Sequence, residues 1–150
     1  MKVKIQIRHD NAVIPKRASD FAGGWDVTVT EIIKESPDFV ICNLGFSLQP
    51  PNNYKVTLVP RSSLTKTHWV LQNSPCLGDP DFMGEYSLRF RCIPFHTNVR
   101  GDFMYSKFPY KVGDRIGQLY LEEIIPIEFE EVKYLDSTNR KEGSFGSTNK

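Results

Sequence analysis

Ten prolines scattered along the chain, the last at Pro126, do most to limit what it can fold into. An interior proline removes one helical hydrogen bond and clashes with the preceding turn, so long helices have little room. A period of two takes their place. Val3, Ile5 and Ile7 alternate with Lys2, Lys4, Gln6 and Arg8, and Trp25, Val27 and Val29 alternate with Asp26, Thr28 and Thr30. Similar runs occur at Phe39 to Leu48, Tyr54 to Val59, Tyr86 to Ile93 and Ile116 to Leu121. Turn signals such as Gln49-Pro50-Pro51-Asn52-Asn53 and Lys111-Val112-Gly113-Asp114 separate them. This rhythm predicts an all-β sandwich or barrel. A short helical turn is expected at Glu31 to Glu35. The segment Glu122 to Phe129 reads as a strand broken at Pro126, an edge or a crossover to a neighbouring subunit.

A chain of 150 residues fits one domain, and no Gly/Ser linker divides it internally. The apolar pattern stops after Asp136, which sets a β domain at 1–136 and a flexible tail at 137–150. The formal charge is +1, from 19 basic and 18 acidic residues, so bulk electrostatics do not mark a general nucleic-acid or anionic-membrane binder. No stretch approaches the ~20 apolar residues of a membrane span, and the charged start Met1-Lys2-Val3-Lys4 lacks an apolar leader. Cys42, Cys76 and Cys92 are odd in number and spaced by 34 and 16, which suits neither a disulfide framework nor a zinc site. Reduced thiols in a cytoplasmic compartment fit this usage. His9, His68 and His96 are equally scattered, so a transition metal held by the protein is not expected.

Four internal segments combine turn chemistry with groups that a phosphate or a base can use. In Ala22-Gly23-Gly24-Trp25-Asp26-Val27, Asp26 either holds water on a phosphate-bound magnesium or caps a turn. In Pro60-Arg61-Ser62-Ser63-Leu64, a guanidinium fork, two hydroxyls and backbone N–H groups can form an anion nest; the same composition also suits an ordinary loop. The stretch from Asn73 to Tyr86 can form a hairpin whose backbone reads a base edge. Asp79 would orient a water and Phe82 would support a sugar ring, or the stretch is simply a tight turn. In Gly113-Asp114-Arg115-Ile116-Gly117-Gln118-Leu119, Gln118 can approach a phosphate or metal-bound water, and Arg115 can equally make a structural ion pair.

These segments, in this order, resemble the five motifs of the trimeric dUTPase family: "AGGWDV", "PRSSL", "NSPCLGDPDFMGE", "GDRIGQL" and, near the end, "RKEGSFGST". The resemblance implies an all-β, β-clip subunit, a jelly-roll-like barrel. It also implies a homotrimer whose three sites draw on several chains, with the tail reaching across a neighbour. The implied reaction is hydrolysis of dUTP to dUMP and pyrophosphate by water attack on the α-phosphorus. Asp79 is the water-orienting carboxylate, and Mg2+ is held mainly by the triphosphate, with Asp26 reaching it through water.

The same resemblance assigns Arg61, Ser62, Ser63 and Gln118 to the phosphates. Asn73, Leu77, Gly78, Phe82 and Ser87 go to the uracil and sugar, and Arg140, Phe145, Gly146, Ser147 and Thr148 to a closing tail. The chain departs from the family pattern in that Phe82 stands where tyrosine is usual, Cys76 where glycine is, Gly78 where a β-branched residue is, and Met83 where a polar residue is. Ser63, Lys141 and Ser144 also replace glycines.

Two other readings are available. "RSSL" followed by "DPDFMG" also resembles deoxycytidine triphosphate deaminase, which needs a glutamate proton shuttle at the position of Arg89; a cation cannot serve that role. A nucleotide-switched regulatory protein is the second, with Phe103, Met104, Tyr105, Phe108 and Tyr110 of the Phe95 to Tyr110 insert as a partner patch. The structural alternative for that insert is a hairpin packing its aromatics on the core.

Overall fold

The computed structural model describes residues 1–96 and 103–138. Two four-stranded antiparallel sheets carry the fold. The first has the order β2-β12-β6-β8, formed by β2 (Trp25–Thr28), β12 (Arg115–Glu123), β6 (Tyr54–Pro60) and β8 (Cys76–Gly78). The second has the order β3-β4-β9-β7, formed by β3 (Glu31–Ser36), β4 (Phe39–Asn43), β9 (Ser87–Cys92) and β7 (Trp69–Leu71). A two-stranded ribbon pairs β1 (Lys4–Ile7) with β5 (Phe46–Gln49), and another pairs β10 (Phe95–His96) with β11 (Phe103–Met104). The all-β class is the one the period-two pattern predicts, and strand neighbours far apart in sequence, β2 beside β12 and β12 beside β6, give the jelly-roll-like character that the motif resemblance implies.

The two sheets bury one core between them. Val27, Val56, Leu58 and Ile116 come from the first sheet; Val40, Cys42, Leu88 and Phe90 come from the second. All eight are at most 1% exposed, which is the inward half of the alternation seen in the sequence. Trp69 closes one end, its indole N–H shared between the carbonyls of Ser106 and Lys107 at 3.0 and 3.2 Å. Phe108 packs edge-on to Trp69 with ring centroids 5.0 Å apart, and contacts Phe90 and Tyr110. The far end of the aromatic insert therefore belongs to the core, as the structural alternative expects, whereas Phe103, Met104 and Tyr105 are exposed.

Three expectations change. Glu31 to Glu35 is not helical. It lies in β3, which turns at Pro37-Asp38 into β4 and pairs with it from Glu31↔Asn43 to Ser36↔Phe39. Phe39 to Leu48 is not one run but two strands in different layers, β4 and β5. The chain changes direction at Gly45, whose φ of 77° is the left-handed region that β-carbon sterics disfavour. A β-carbon there would also fall 2.6 Å from Ala12 Cβ and from Thr30 Oγ1. Finally, the strand expected across Glu122 to Phe129 ends at Glu123. Residues 124–138 carry no regular secondary structure, and Ile125, Ile127, Phe129, Tyr134 and Leu135 point into solvent.

Candidate active site

The hairpin between β8 and β9 grows out of the edge of the first sheet. β8 pairs with β6 in the register Leu58↔Cys76, Thr57↔Leu77, Val56↔Gly78. The chain then turns at Asp79-Pro80-Asp81-Phe82, where the Phe82 N–H donates to the Asp79 carbonyl at 3.1 Å. Proline suits the second position of such a turn because its φ is already set. The N-terminal segment braces the returning limb. Arg8 donates through Nη2 to the Met83 carbonyl and through Nε to Ser47 Oγ, both at 2.9 Å. The Glu85 carboxylate accepts the Gly45 N–H at 2.9 Å and lies 3.2 Å from His9 Nε2.

This hairpin encloses a cleft of about 360 Å³. Asn73, Leu77, Gly78, Asp79, Phe82 and Ser87, all singled out in the sequence, line it together with Cys76. Leu71, Glu85, Tyr86, Leu88 and Arg89 complete the wall. None of these five is marked as a site residue by motif spacing, and Tyr86 is the one with a perturbed phenol. Its phenol is pushed up to about 12, first by burial and then by the negative charge that Cys76 and Asp79 carry when ionised. Burial also raises the Cys76 thiol, against the opposing pull of the Arg89 guanidinium.

A second group gathers where β2, β12 and the end of β6 meet. Gln118 of β12 stands opposite Asp26 of β2 and Val59 of β6. The Asp26 carboxylate is 8% exposed as a residue; it accepts from Arg115 Nη1 at 2.8 Å and from Gln118 Nε2 at 3.1 Å. The structural ion pair expected of Arg115 thus forms, and its partner is Asp26. Arg61 follows β6 directly and donates from Nη1 to the Arg115 carbonyl at 3.2 Å. Ser62 and Ser63 open the short 3-10 turn Ser62–Lys66; Ser63 Oγ lies 3.3 Å from the Tyr110 hydroxyl. Arg61 and Arg115 border a depression of about 410 Å³ with Pro109, Tyr110, Gly113 and Asp114.

Within one chain the two groups stand apart. Gly78 faces Val56, five positions from Arg61, and Cys76 faces Leu58, three positions from it, so the cleft lining lies about 10–17 Å along the strand from Arg61 at the usual rise of ~3.3 Å per residue. β6 is a rigid spacer between the hairpin cleft and the arginine-serine turn. Arg140, Phe145, Gly146, Ser147 and Thr148 lie outside the described residues.

Among the described residues no group of three or more His, Cys, Asp or Glu side chains could hold a metal ion. The donor chemistry fits a cation brought by a substrate. An ionised carboxylate offers about four lone-pair directions; Asp26 uses two for Arg115 and Gln118, leaving others for water on such a cation.

Comparison with known proteins agrees with this arrangement. The dUTPase family model matches residues 10–149. The deoxyuridine 5'-triphosphate nucleotidohydrolase of Helicobacter pylori strain 26695 is 34% identical over 150 residues, covering 99% of this chain and 97% of that protein. Its counterpart in Fusobacterium nucleatum is 30% identical over 154 residues, covering 100% and 98%. Among solved structures, a mutant of the Staphylococcus bacteriophage 80alpha dUTPase with dUpNHpp superposes with a TM-score of 0.75 at 22% identity, covering 97% of both chains. A dUTPase mutant from phage phi11 of S. aureus, described with a structural Mg(II) ion, superposes at 0.73 with 19% identity, covering 91% of this chain and 100% of that one. With the two-sheet fold, the hairpin cleft and the motif residues that line it, the match over residues 10–149 places this chain in the dUTPase family.

Proposed function

We propose that this chain hydrolyses dUTP to dUMP and pyrophosphate, and that Asp79 orients the attacking water. The observation that carries the proposal is the hairpin cleft, in which Asn73, Leu77, Gly78, Asp79, Phe82 and Ser87 converge in a chain that the dUTPase family model matches almost end to end. The water oxygen forms a bond to the α-phosphorus while the bond to the α,β-bridging oxygen breaks. The water's proton passes to the Asp79 carboxylate, and pyrophosphate leaves with the bond electrons. The protein's work is positioning and charge stabilisation more than covalent chemistry.

Base selection rests on the hairpin backbone. Strand-edge N–H and C=O groups at Leu77 to Asp79 can pair with uracil's O4, N3–H and O2. Cytosine presents the opposite donor pattern and leaves buried groups unpaired, which discriminates strongly. Arg61, Ser62, Ser63 and Gln118 take the phosphates. Magnesium brought with the triphosphate would supply Lewis-acid charge neutralisation, and Asp26 would help hold it through water. Arg140 and Gly146-Ser147-Thr148 add phosphate contacts, and Phe145 stacks on the base.

The spacing along β6 supports a site assembled from more than one copy, in the homotrimer typical of this family. Further support comes from the apolar side chains exposed along residues 124–138. An apolar groove of about 280 Å³, lined by Met1, Val3, Ile5, Trp25, Leu119 and Leu121 among others, gives such a segment somewhere to dock on a neighbour. Where dUTP arises, in the cytoplasm of a cell or of a viral host, the activity would limit uracil entry into DNA and supply dUMP. Arg89 on the cleft wall leaves deamination without its carboxylate shuttle.

The test is pyrophosphate release from dUTP, dCTP, dTTP and UTP by the wild type and by Asp79→Asn. Turnover should be confined to dUTP and fall by about 10²–10⁴ in the variant, the usual contribution of a positioned acid-base group. Unchanged turnover would remove Asp79 from its role, and ammonia release from dCTP would move the chain to deamination.

A further inference from the structure

The cleft contains a polar group with no assigned task. Tyr86 is 3% exposed, and its hydroxyl oxygen is buried without a hydrogen-bond partner. Buried hydroxyls nearly always find one, because leaving one unmade costs the desolvation of the group. Tyr86 nevertheless lines the hairpin cleft. The phenol lies directly beneath Gly78: a β-carbon on Gly78 would come 2.5 Å from the Tyr86 hydroxyl and 2.7 Å from Cε1. The residue departing from the family's β-branched pattern and the unpartnered phenol are therefore two halves of one arrangement. Gly78 has no side chain because Tyr86 fills that space.

A neighbour of the Tyr86 ring is exposed enough to move. The Phe82 ring stands edge-on to Tyr86 with centroids 5.3 Å apart, yet Phe82 is 43% exposed. Phe82 itself brings no hydroxyl to the sugar side of the cleft.

We propose that the Tyr86 hydroxyl is a substrate-recognition group. When Phe82 swings aside for the nucleoside, the phenol donates a hydrogen bond to a neutral acceptor on the deoxyuridine, a base carbonyl or the sugar 3′-hydroxyl. Its elevated pKa keeps the proton on the oxygen at any working pH, so it is a donor there. Recognition of this kind favours the bound nucleoside and leaves the phosphoryl step alone, so its loss falls on KM and spares kcat. The proposal rests on the reading of this cleft as a dUTP site.

The experiment is Tyr86→Phe in the full chain, which keeps the ring and removes only the oxygen. The thermal midpoint should hold or rise, because a buried unpaired group is gone. KM for dUTP should rise about fivefold, the value of one neutral hydrogen bond, with kcat within about twofold. An unchanged KM, or a clear fall in thermal midpoint, would overturn the proposal, the latter by showing that the hydroxyl already has a partner in the free protein. Repeating the comparison with 2′,3′-dideoxyuridine triphosphate separates the acceptors. A Tyr86→Phe effect that vanishes with this substrate identifies the 3′-hydroxyl, and one that persists identifies the base. Failure of the dUTP reading itself is a different result, a wild-type protein that does not turn over dUTP.

Discussion

Gly117 is the position where a single methyl group should do the most calculable damage. It lies in β12 opposite Pro60 of β6, next to Gln118. A β-carbon there would sit 2.8 Å from the Val59 carbonyl oxygen, 3.0 Å from Leu88 Cδ1 and 3.4 Å from Val27 Cγ2. The leucine can rotate a little; the carbonyl cannot, because it is fixed in the neighbouring strand. Relief requires β12 and β6 to part by about half an ångström where their hydrogen bonds hold the strands ~4.8 Å apart, while Leu88 from the opposite sheet presses from the core side. Overpacking of this kind costs about 1–3 kcal/mol, and the backbone contact puts Gly117→Ala near the top, about 2–3 kcal/mol. For a domain of this length that is roughly 4–12 °C in thermal midpoint. Scanning calorimetry reads it directly, with Gly23→Ala as the control because a β-carbon there meets nothing within 4 Å. Since Asp26 and Gln118 register through the same strand, dUTP turnover at 25 °C should drop as well. A Gly117→Ala midpoint within about 1 °C of the control would show that the strands yield freely and would refute the argument from the fixed carbonyl.

Two further outcomes follow from features already described. On the proposed function, deleting residues 140–150 should leave the thermal midpoint and oligomeric mass per 17.2 kDa chain nearly unchanged while lowering kcat/KM for dUTP at least a hundredfold, since the proposed phosphate and base contacts of the tail would be lost and water admitted; full activity would show the tail to be dispensable. In alkali, Cys42 and Tyr86 should weaken the fold. Burial holds both up to about 12 in the native chain, against ordinary values of 9.0 and 10.0. The unfolded chain therefore releases these protons first, so stability is intact below pH 9 and declines as pH climbs towards 12. Urea midpoints at pH 8, 9.5 and 11 should fall in that order. Cys42→Val should remove the decline between pH 9 and 10; a flat series in the wild type would contradict it.

Alternation made β9 legible because it has one wet and one dry face. β6 and β12 read instead as runs between turn signals, buried at consecutive positions at Val56-Thr57-Leu58 and Ile116-Gly117, and the inward apolar residues of all three strands are in the core. β3 was not legible, since Glu31-Ile32-Ile33-Lys34-Glu35 is mostly exposed and carries no clean period; its identity comes from pairing with β4. β8 is three residues, Cys-Leu-Gly, too short for any periodicity, and exists because β6 offers it an edge. The split at Gly45 is a matter of tertiary crowding by Ala12 and Thr30, which sequence does not display. Much the same holds at the site. Turn chemistry pointed to the Asn73 to Phe82 hairpin, and its residues do share one cleft. Charge type pointed to Asp26 and Arg115, but that the two grip each other is a consequence of β2 and β12 lying side by side. Tyr86 reads in sequence like any strand residue, and only its packing against Gly78 and its unpartnered hydroxyl distinguish it.

The stiffness of β6 also bears on how such a chain can be improved by selection. Because β6 pairs with β12 along its length and with β8 at Val56 to Leu58, the distance from the hairpin cleft to the arginine-serine turn is set by paired backbone, and no side-chain change can alter it without tearing the sheet. Selection can therefore change which groups stand at the two places, but not how far apart they lie.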